Sequence, residues 1–271
     1  MASEAPARAA APAAGGRAVP VVSTHTHTNL SLCGDWEMTF DAVVDRAAEL
    51  GFELLIVTDH VHSPTVTDYE QHLATSAWYR ACRGVRQPPL RVVIGAEFEV
   101  VAPGRITAPA DLVEAAECAV VAPNHYQCPW VQPPPGLLRD AAAFELDNLA
   151  TALAWPHTDI VAHPFATTGM APAPDDLYLA CDQGRLRELL SQAVATGIAL
   201  ELQPKFWRAE KPASRLAQLY EDWLALGGRV ALGSDAHRLV GLTRWAGDVV
   251  DICGRFGLTR DHLWWPVTKE G

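Results

Sequence analysis

Histidines grouped with acidic residues recur along this 271-residue chain, which contains ten histidines. The groups are His25-Thr26-His27, Thr58-Asp59-His60, Gly95-Ala96-Glu97, Asn124-His125, His163-Pro164 and Ser234-Asp235-Ala236-His237. Neutral imidazoles and carboxylates are the ligands that proteins offer to zinc, manganese and iron. Packed together without a cation, so many ionisable groups would repel one another or be costly to desolvate. These residue types therefore predict a multinuclear metal site, provided that the fold brings them together.

Seven short apolar runs are rich in Val, Ile and Leu; six of them precede or contain these groups, and the run at 198–202 carries Glu201. Continuous apolar runs of this length are typical of strands buried on both faces of a parallel sheet. The predicted strands cover residues 20–24, 53–58, 91–96, 118–122, 159–162, 198–202 and 229–233. Helices are predicted over 39–50, 140–155, 184–196, 213–226 and 243–256, with Thr39 as an N-cap and Gly51 as a stop signal.

Alternating strands and helices predict right-handed βαβ units and an α/β fold. Seven repeats over residues 20–271 favour a closed barrel over a doubly wound sheet, since no GxGxxG motif follows the first strand. The carboxyl ends of barrel strands form one rim, where active sites lie. A single histidine at a strand end is more often structural, but seven strands that each end in or carry His, Asp or Glu favour a shared site.

The composition excludes several classes of protein. The chain has 21 basic and 32 acidic residues, a net charge of −11, which argues against general nucleic-acid binding. It has no apolar run long enough to predict a membrane helix. Six cysteines without a CxxC pair predict reduced thiols in a cytoplasmic protein. Residues 1–19, rich in Ala and Pro, are predicted to be a disordered tail, and residues 20–271 a single domain.

Taken together and in this order, the groups resemble the motifs of the PHP (polymerase and histidinol phosphatase) family over residues 20 to 260 or so. The resemblance implies a distorted (β/α)7 TIM-like barrel with two or three divalent metal ions at the C-terminal strand ends. It implies a first metal bound by His25, His27 and Asp235, a second by His125 and His163, Glu97 bridging the two, and a third bound by His60 and His237.

The chain departs from the family pattern at the third metal, where a histidine is expected shortly after the HxH pair. That stretch contains Cys33 and Asp35 instead. Either residue could substitute, and the alternative is a weak or empty third site with Cys33 as a packed thiol. A thiolate ligand would favour zinc or iron over manganese.

The resemblance further implies a metal-dependent phosphoesterase that acts on a small phosphomonoester through a metal-bound hydroxide. Glu97 and His237 would act at the metals, and Asp59 would orient an imidazole or move a proton. Lys205, Arg208 and Arg238 lie near predicted strand ends and could bind phosphate oxygens.

Three alternatives remain open from the sequence. The first is a hydrolase of a phosphodiester or a C–N bond at the same metals, the second a nuclease-type module, and the third a non-catalytic metal-binding protein. No nucleic-acid or membrane partner is expected, and the sequence does not indicate an oligomeric state. His62 and Glu99 each follow a predicted ligand by two residues and could face the pocket or turn away from it.

Overall fold

The computed structural model describes residues 19–84, 90–167, 173–203 and 215–267. The strands are β1 Val22–Ser23, β2 Leu54–Val57, β3 His60–Val61, β4 Arg91–Ile94, β5 Ala96–Ala102, β6 Arg105–Thr107, β7 Ala119–Ala122, β8 Ile160–Val161, β9 Ala199–Leu202 and β10 Arg229–Leu232. The helices are α1 Phe40–Glu49, α2 Tyr69–Gly84, α3 Ala110–Ala115, α4 Leu138–Ala154, α5 Pro174–Ala180, α6 Gln183–Thr196, α7 Leu216–Ala225 and α8 Leu239–Arg255, followed by a 3-10 turn at Arg260–His262.

The strands pair in parallel except for β6, which pairs antiparallel with β5. One sheet has the order β1-β2-β4 and the other has the order β10-β9-β8-β7-β5-β3. The amide of Thr24 donates to the carbonyl of Leu232 at 2.9 Å, and that of His27 to Ala236 at 3.1 Å. These hydrogen bonds join the first strand to the last. The predicted α/β fold is therefore confirmed, and its strand ends are connected as a TIM-like arrangement requires.

Gly95 lies at the short break between β4 and β5, just before Glu97. A Cβ atom at Gly95 would lie 2.5 Å from the carbonyl oxygen of Cys118. Only glycine allows these two segments of the backbone to lie so close. The Gly95 amide also continues the strand pairing, because it donates to the carbonyl of Val57 at 2.8 Å. The close approach fixes the position from which Glu97 enters the site.

The helices follow the local signals in the sequence. The Thr39 hydroxyl accepts from the amide of Ala42 at the start of α1, and Gly51 follows the helix with φ of 75°. Gly197 ends α6 in the left-handed region, with φ of 78°. Helix α2 is absent from the sequence prediction because its buried side chains are His72, Ser76 and Tyr79, which form no apolar stripe.

Strands β2, β7, β8 and β9 are completely buried, so the core lies between the parallel strands and the surrounding helices. Among the described residues, no helix has the length and hydrophobicity needed to cross a membrane. Most of the predicted tail, along with Lys205 and Arg208, lies outside the described residues.

Candidate metal centre

Glu97, at the start of β5, lies at the centre of a cluster of imidazoles and is 1% exposed. The distances to its carboxylate oxygens are 3.3 Å from His25 Nε2, 3.6 Å from His27 Nε2, 2.7 Å from His60 Nδ1, 3.6 Å from His125 Nε2 and 3.4 Å from His163 Nε2. Asp235 adds a second carboxylate, with Oδ1 3.3 Å from His27 Nε2 and 3.8 Å from His25 Nε2. The structure thus brings these seven predicted ligands together at the C-terminal strand ends.

His25 is hydrogen-bonded through Nδ1 to Glu201, a buried residue of β9. Glu201 Oε1 accepts from His25 Nδ1 at 2.8 Å, while its Oε2 accepts from the amide of His163 at 2.8 Å and from Gln203 at 3.0 Å. Because Nδ1 donates to Glu201, Nε2 is the nitrogen that faces Glu97 and Asp235 and would bind a metal ion. Glu201 therefore orients two candidate ligands at once.

His27 is oriented through Ser31 and Asp59. The Ser31 hydroxyl donates to Asp59 Oδ1 at 2.7 Å and accepts from the amide of His60 at 3.1 Å. The remaining lone pair of Ser31 Oγ can only accept a hydrogen bond. His27 Nδ1, which lies 3.1 Å from Ser31 Oγ, is therefore the donor. Asp59 also accepts from the amide and the hydroxyl of Thr28, both at 2.7 Å. These contacts make Asp59 a support for the loop and for His27.

His163 and His125 are oriented in the same way from other elements. Asn124 donates its amide to Glu145 of α4 at 3.1 Å, which leaves its Oδ1 to accept from His163 Nδ1 at 3.0 Å. Glu99 Oε1 accepts from His125 Nδ1 at 3.0 Å. In both rings Nε2 is consequently the nitrogen that faces Glu97.

The side chains around Glu97 are arranged to bind cations rather than to form hydrogen bonds with one another. Both Glu97 oxygens are buried and have no hydrogen-bond partner among the described residues, although five imidazole nitrogens lie within 3.6 Å. Ligands bound to one tetrahedral zinc at 2.0–2.2 Å would lie about 3.3–3.6 Å from each other. Most of the nitrogen–oxygen distances around Glu97 fall in this range. The residues present therefore fit a site for divalent metal ions.

The electrostatics around His25 and Glu97 also favour positive charge. Burial by itself lowers the pKa of His25, but Glu201 and Glu97 outweigh it and raise that pKa well above its ordinary value. Burial likewise opposes ionisation of Glu97, yet His25, His60 and His125 hold its pKa well below the usual range. Protons and metal ions compete for the same nitrogen lone pairs, so a site that attracts protons also attracts metal ions.

Backbone strain is concentrated in the same region. Three residues other than glycine have positive φ in the described part of the chain, namely His163 at 28°, Phe165 at 64° and Asp235 at 47°. Such conformations cost about 1–3 kcal/mol each and persist where the surrounding structure holds them. Here they set the direction of two candidate ligands.

At the predicted third position, the His27 ring stacks on both His60 and His237, with ring centres 4.2 Å apart in each pair. Burial raises the pKa of the Cys33 thiol, but hydrogen bonds with His237 and His60 outweigh it and lower that pKa to about 6. Asp35 instead lies 3.6 Å from the guanidinium of Arg238. The structure thus places Asp35 toward Arg238, while the exposed Cys33 is near enough to His60 and His237 for them to lower the pKa of its thiol.

Of the three cations predicted to bind phosphate, Arg238 is the one within the described residues, and its side chain is 73% exposed. The supporting residues Glu201, Asn124 and Ser31 are absent from the sequence-based site. A charged residue inside the apolar run of β9 is the one signal that could have indicated Glu201.

The model of the PHP domain matches residues 23–153. Histidinol phosphate phosphatase from Lactococcus lactis, solved with zinc, L-histidinol and phosphate, aligns over 88% of this chain and 95% of its own, with 14% identity and a TM-score of 0.62. N-isopropylammelide isopropylaminohydrolase from Burkholderia multivorans aligns over 94% of this chain and 75% of its own, with 15% identity. Its TM-score of 0.46 is too low to support an inference. No curated protein matches the chain.

The PHP-domain match over residues 23–153, the shared fold and the motifs that converge on Glu97 together support a metal-dependent hydrolase of the PHP family.

Proposed function

We propose that this protein is a metal-dependent phosphatase that hydrolyses a small phosphomonoester. The observation that carries the proposal is the inward direction of the imidazole lone pairs around Glu97. In four rings, Nδ1 donates a hydrogen bond to a residue outside the centre; these are the rings of His25, His27, His125 and His163. Such outer hydrogen bonds are characteristic of metal-ligating histidines.

Two or three divalent ions would occupy the centre, with zinc, manganese and iron as the candidates. His25, His27 and Asp235 would hold the first ion, His125 and His163 the second, and Glu97 would bridge them. His60 and His237 would hold a third ion, with Cys33 as the further ligand favoured over Asp35. Bound ions of this kind lower the pKa of water and neutralise charge that develops on phosphoryl oxygens.

The chain's own residues would position the reactants. The outer hydrogen bonds of Glu201, Ser31, Asn124 and Glu99 would keep the ligand rings fixed while charge changes at the centre. We assign Asp59 to positioning and not to proton transfer, because both of its oxygens already accept hydrogen bonds from Thr28 and Ser31.

Arg238 follows His237 directly and is the exposed cation nearest in sequence to the candidate ligands. Its contact with Asp35 is long, at 3.6 Å, so the guanidinium can turn to a phosphate without breaking a strong ion pair. Phosphomonoesters are the first substrate class to test because the similar Lactococcus lactis phosphatase was solved with phosphate. We further propose a cytoplasmic location, because six cysteines without a CxxC pair are typical of reduced thiols.

The test is an assay of purified protein loaded with Zn²⁺, Mn²⁺ or Fe²⁺ against phosphomonoesters, phosphodiesters and amides. Histidinol phosphate belongs in the first group. We expect turnover of at least one phosphomonoester that depends on the added metal and is abolished by a chelator. Turnover confined to diesters or amides, or no turnover with any metal, would contradict the proposal. Arg238→Ala is expected to raise KM for the phosphomonoester more than it lowers kcat.

A further inference from the structure

A second group of potential metal ligands lies beside the Glu97 centre and has no role in it as a ligand. It consists of His62, just after β3, Glu99 in β5 and Cys128 in the loop after β7, and we call it the outer cluster. One ligand atom from each residue lies within 4.8 Å of those from the other two. An imidazole, a carboxylate and a thiol are the side chains that zinc sites use.

The His62 ring packs against the rings of His60 and Trp130, but hydrogen bonds within the described part of the chain do not account for its Nδ1 atom. The residue is 7% exposed, yet its Nδ1 has no hydrogen-bond partner among the described residues. A buried nitrogen of this kind costs free energy unless something binds it. Its Nδ1 lies 3.4 Å from Glu99 Oε2, which equals the separation of about 3.4 Å expected for two ligands on one tetrahedral zinc.

Glu99 can support His125 of the Glu97 centre and at the same time bind a metal ion in the outer cluster. Its Oε1 accepts from His125 Nδ1 at 3.0 Å, and its Oε2 accepts from the indole of Trp130. A carboxylate has about four lone-pair positions, so these two bonds leave room for a metal. The Cys128 sulfur lies within 4.8 Å of a His62 ring nitrogen and a Glu99 carboxylate oxygen, so the loop already brings the thiol to the carboxylate.

We propose that the outer cluster is a separate zinc site with His62, Glu99 and Cys128 as protein ligands and one open position. The thiol gives it a preference for zinc over manganese or magnesium. A metal here would tie the loop that carries Cys128 and Trp130 to the ends of β3 and β5. Through the Glu99–His125 hydrogen bond, it would also be linked to the Glu97 centre.

Cobalt replaces zinc in such sites and reports sulfur ligation by a charge-transfer absorption in the near ultraviolet. We would titrate metal-stripped full-length Cys33→Ser protein with Co²⁺, since this background removes the thiol beside His60 and His237. The band is expected in Cys33→Ser, and it is expected to disappear when Cys128→Ser or His62→Ala is added. A band that survives Cys128→Ser, or none in the Cys33→Ser background, would overturn the proposal.

Alkylation of Cys128 by iodoacetamide, followed by peptide mass spectrometry, gives a readout that needs no substitution of the cysteine. Zinc is expected to slow labelling by about tenfold or more, because a metal-bound thiolate is withdrawn from reaction. The protection should persist in Glu97→Gln, which disables the main centre, and should be lost in His62→Ala. Equal labelling with and without zinc would show that the outer cluster binds no metal, whatever the Glu97 centre does.

Discussion

Replacement of Gly233 by alanine is predicted to disable the metal centre without placing a new side chain inside it. A Cβ atom at this position would lie 1.7 Å from Glu201 Oε1 and 2.9 Å from His25 Cβ. Real Cβ contacts essentially never fall below 3.0 Å, so Oε1 must retreat by at least 3.0 − 1.7 = 1.3 Å. Glu201 cannot yield freely, because it is fully buried and its other oxygen accepts from His163 and Gln203.

The retreat breaks the 2.8 Å hydrogen bond from His25 Nδ1 to Glu201. A hydrogen bond to a charged group contributes about 1.5–3 kcal/mol, and a buried partner left unsatisfied adds to the loss. Loss of such an outer contact typically lowers metal affinity by about 10–100-fold. We therefore expect Gly233→Ala to weaken zinc binding by this factor and to destabilise the protein by about 2–4 kcal/mol.

The assay is a zinc titration against a competing chelator, combined with thermal unfolding of the metal-stripped protein. Gly247→Ala is the matched control, since Gly247 lies inside α8 and a Cβ there would meet nothing within 4 Å. Alanine in a helix interior is expected to stabilise by about 0.5–1 kcal/mol. If Gly233→Ala binds zinc within about twofold of wild type, Glu201 does not set the affinity of the centre and the reasoning fails.

Glu97→Gln is expected to remove the bound metals and all hydrolysis; metal analysis showing an unchanged content would exclude the bridging role. Ser31→Ala is expected to weaken metal binding by about tenfold, because it releases His27 Nδ1, and chelator competition checks this. Burial raises the pKa of Glu117, but its ion pair with Arg83 outweighs it and lowers that pKa. The depressed pKa stabilises the protein above the ordinary glutamate value of about 4.3 and ceases to do so as the pH falls through the folded-state pKa. Urea unfolding should therefore show Glu117→Gln less stable than wild type by about 0.5–1 kcal/mol at pH 7 and equal to it at the lowest pH; a constant difference would contradict this.

Sequence patterns predicted seven of the ten described strands and grouped the candidate ligands, because both depend on local signals; β3, β5 and β6 were not predicted. The run before His25 and His27 is apolar, and residues i and i+2 of a strand share a face. Parallel pairing then carries Glu97 and Asp235 to the same rim, where the structure has them.

The supporting contacts could not be predicted, because each depends on a partner distant in the chain. Glu201 meets His25 across 176 residues, and nothing near either residue indicates the pairing. Gly233 is required only because that pairing exists. The different surroundings of Cys33 and Asp35 likewise depend on the path of a loop, which brings Asp35 within 3.6 Å of the Arg238 guanidinium.

The central claim is that Glu97 binds metal ions in common with the surrounding histidines. Anomalous diffraction from crystals of the purified protein, collected at the absorption edge of the metal found in it, tests this most directly. We predict at least two anomalous peaks within about 2.0–2.3 Å of Glu97 or its neighbouring imidazole nitrogens. A map with no peak beside Glu97, from protein that has catalytic activity, would contradict the claim.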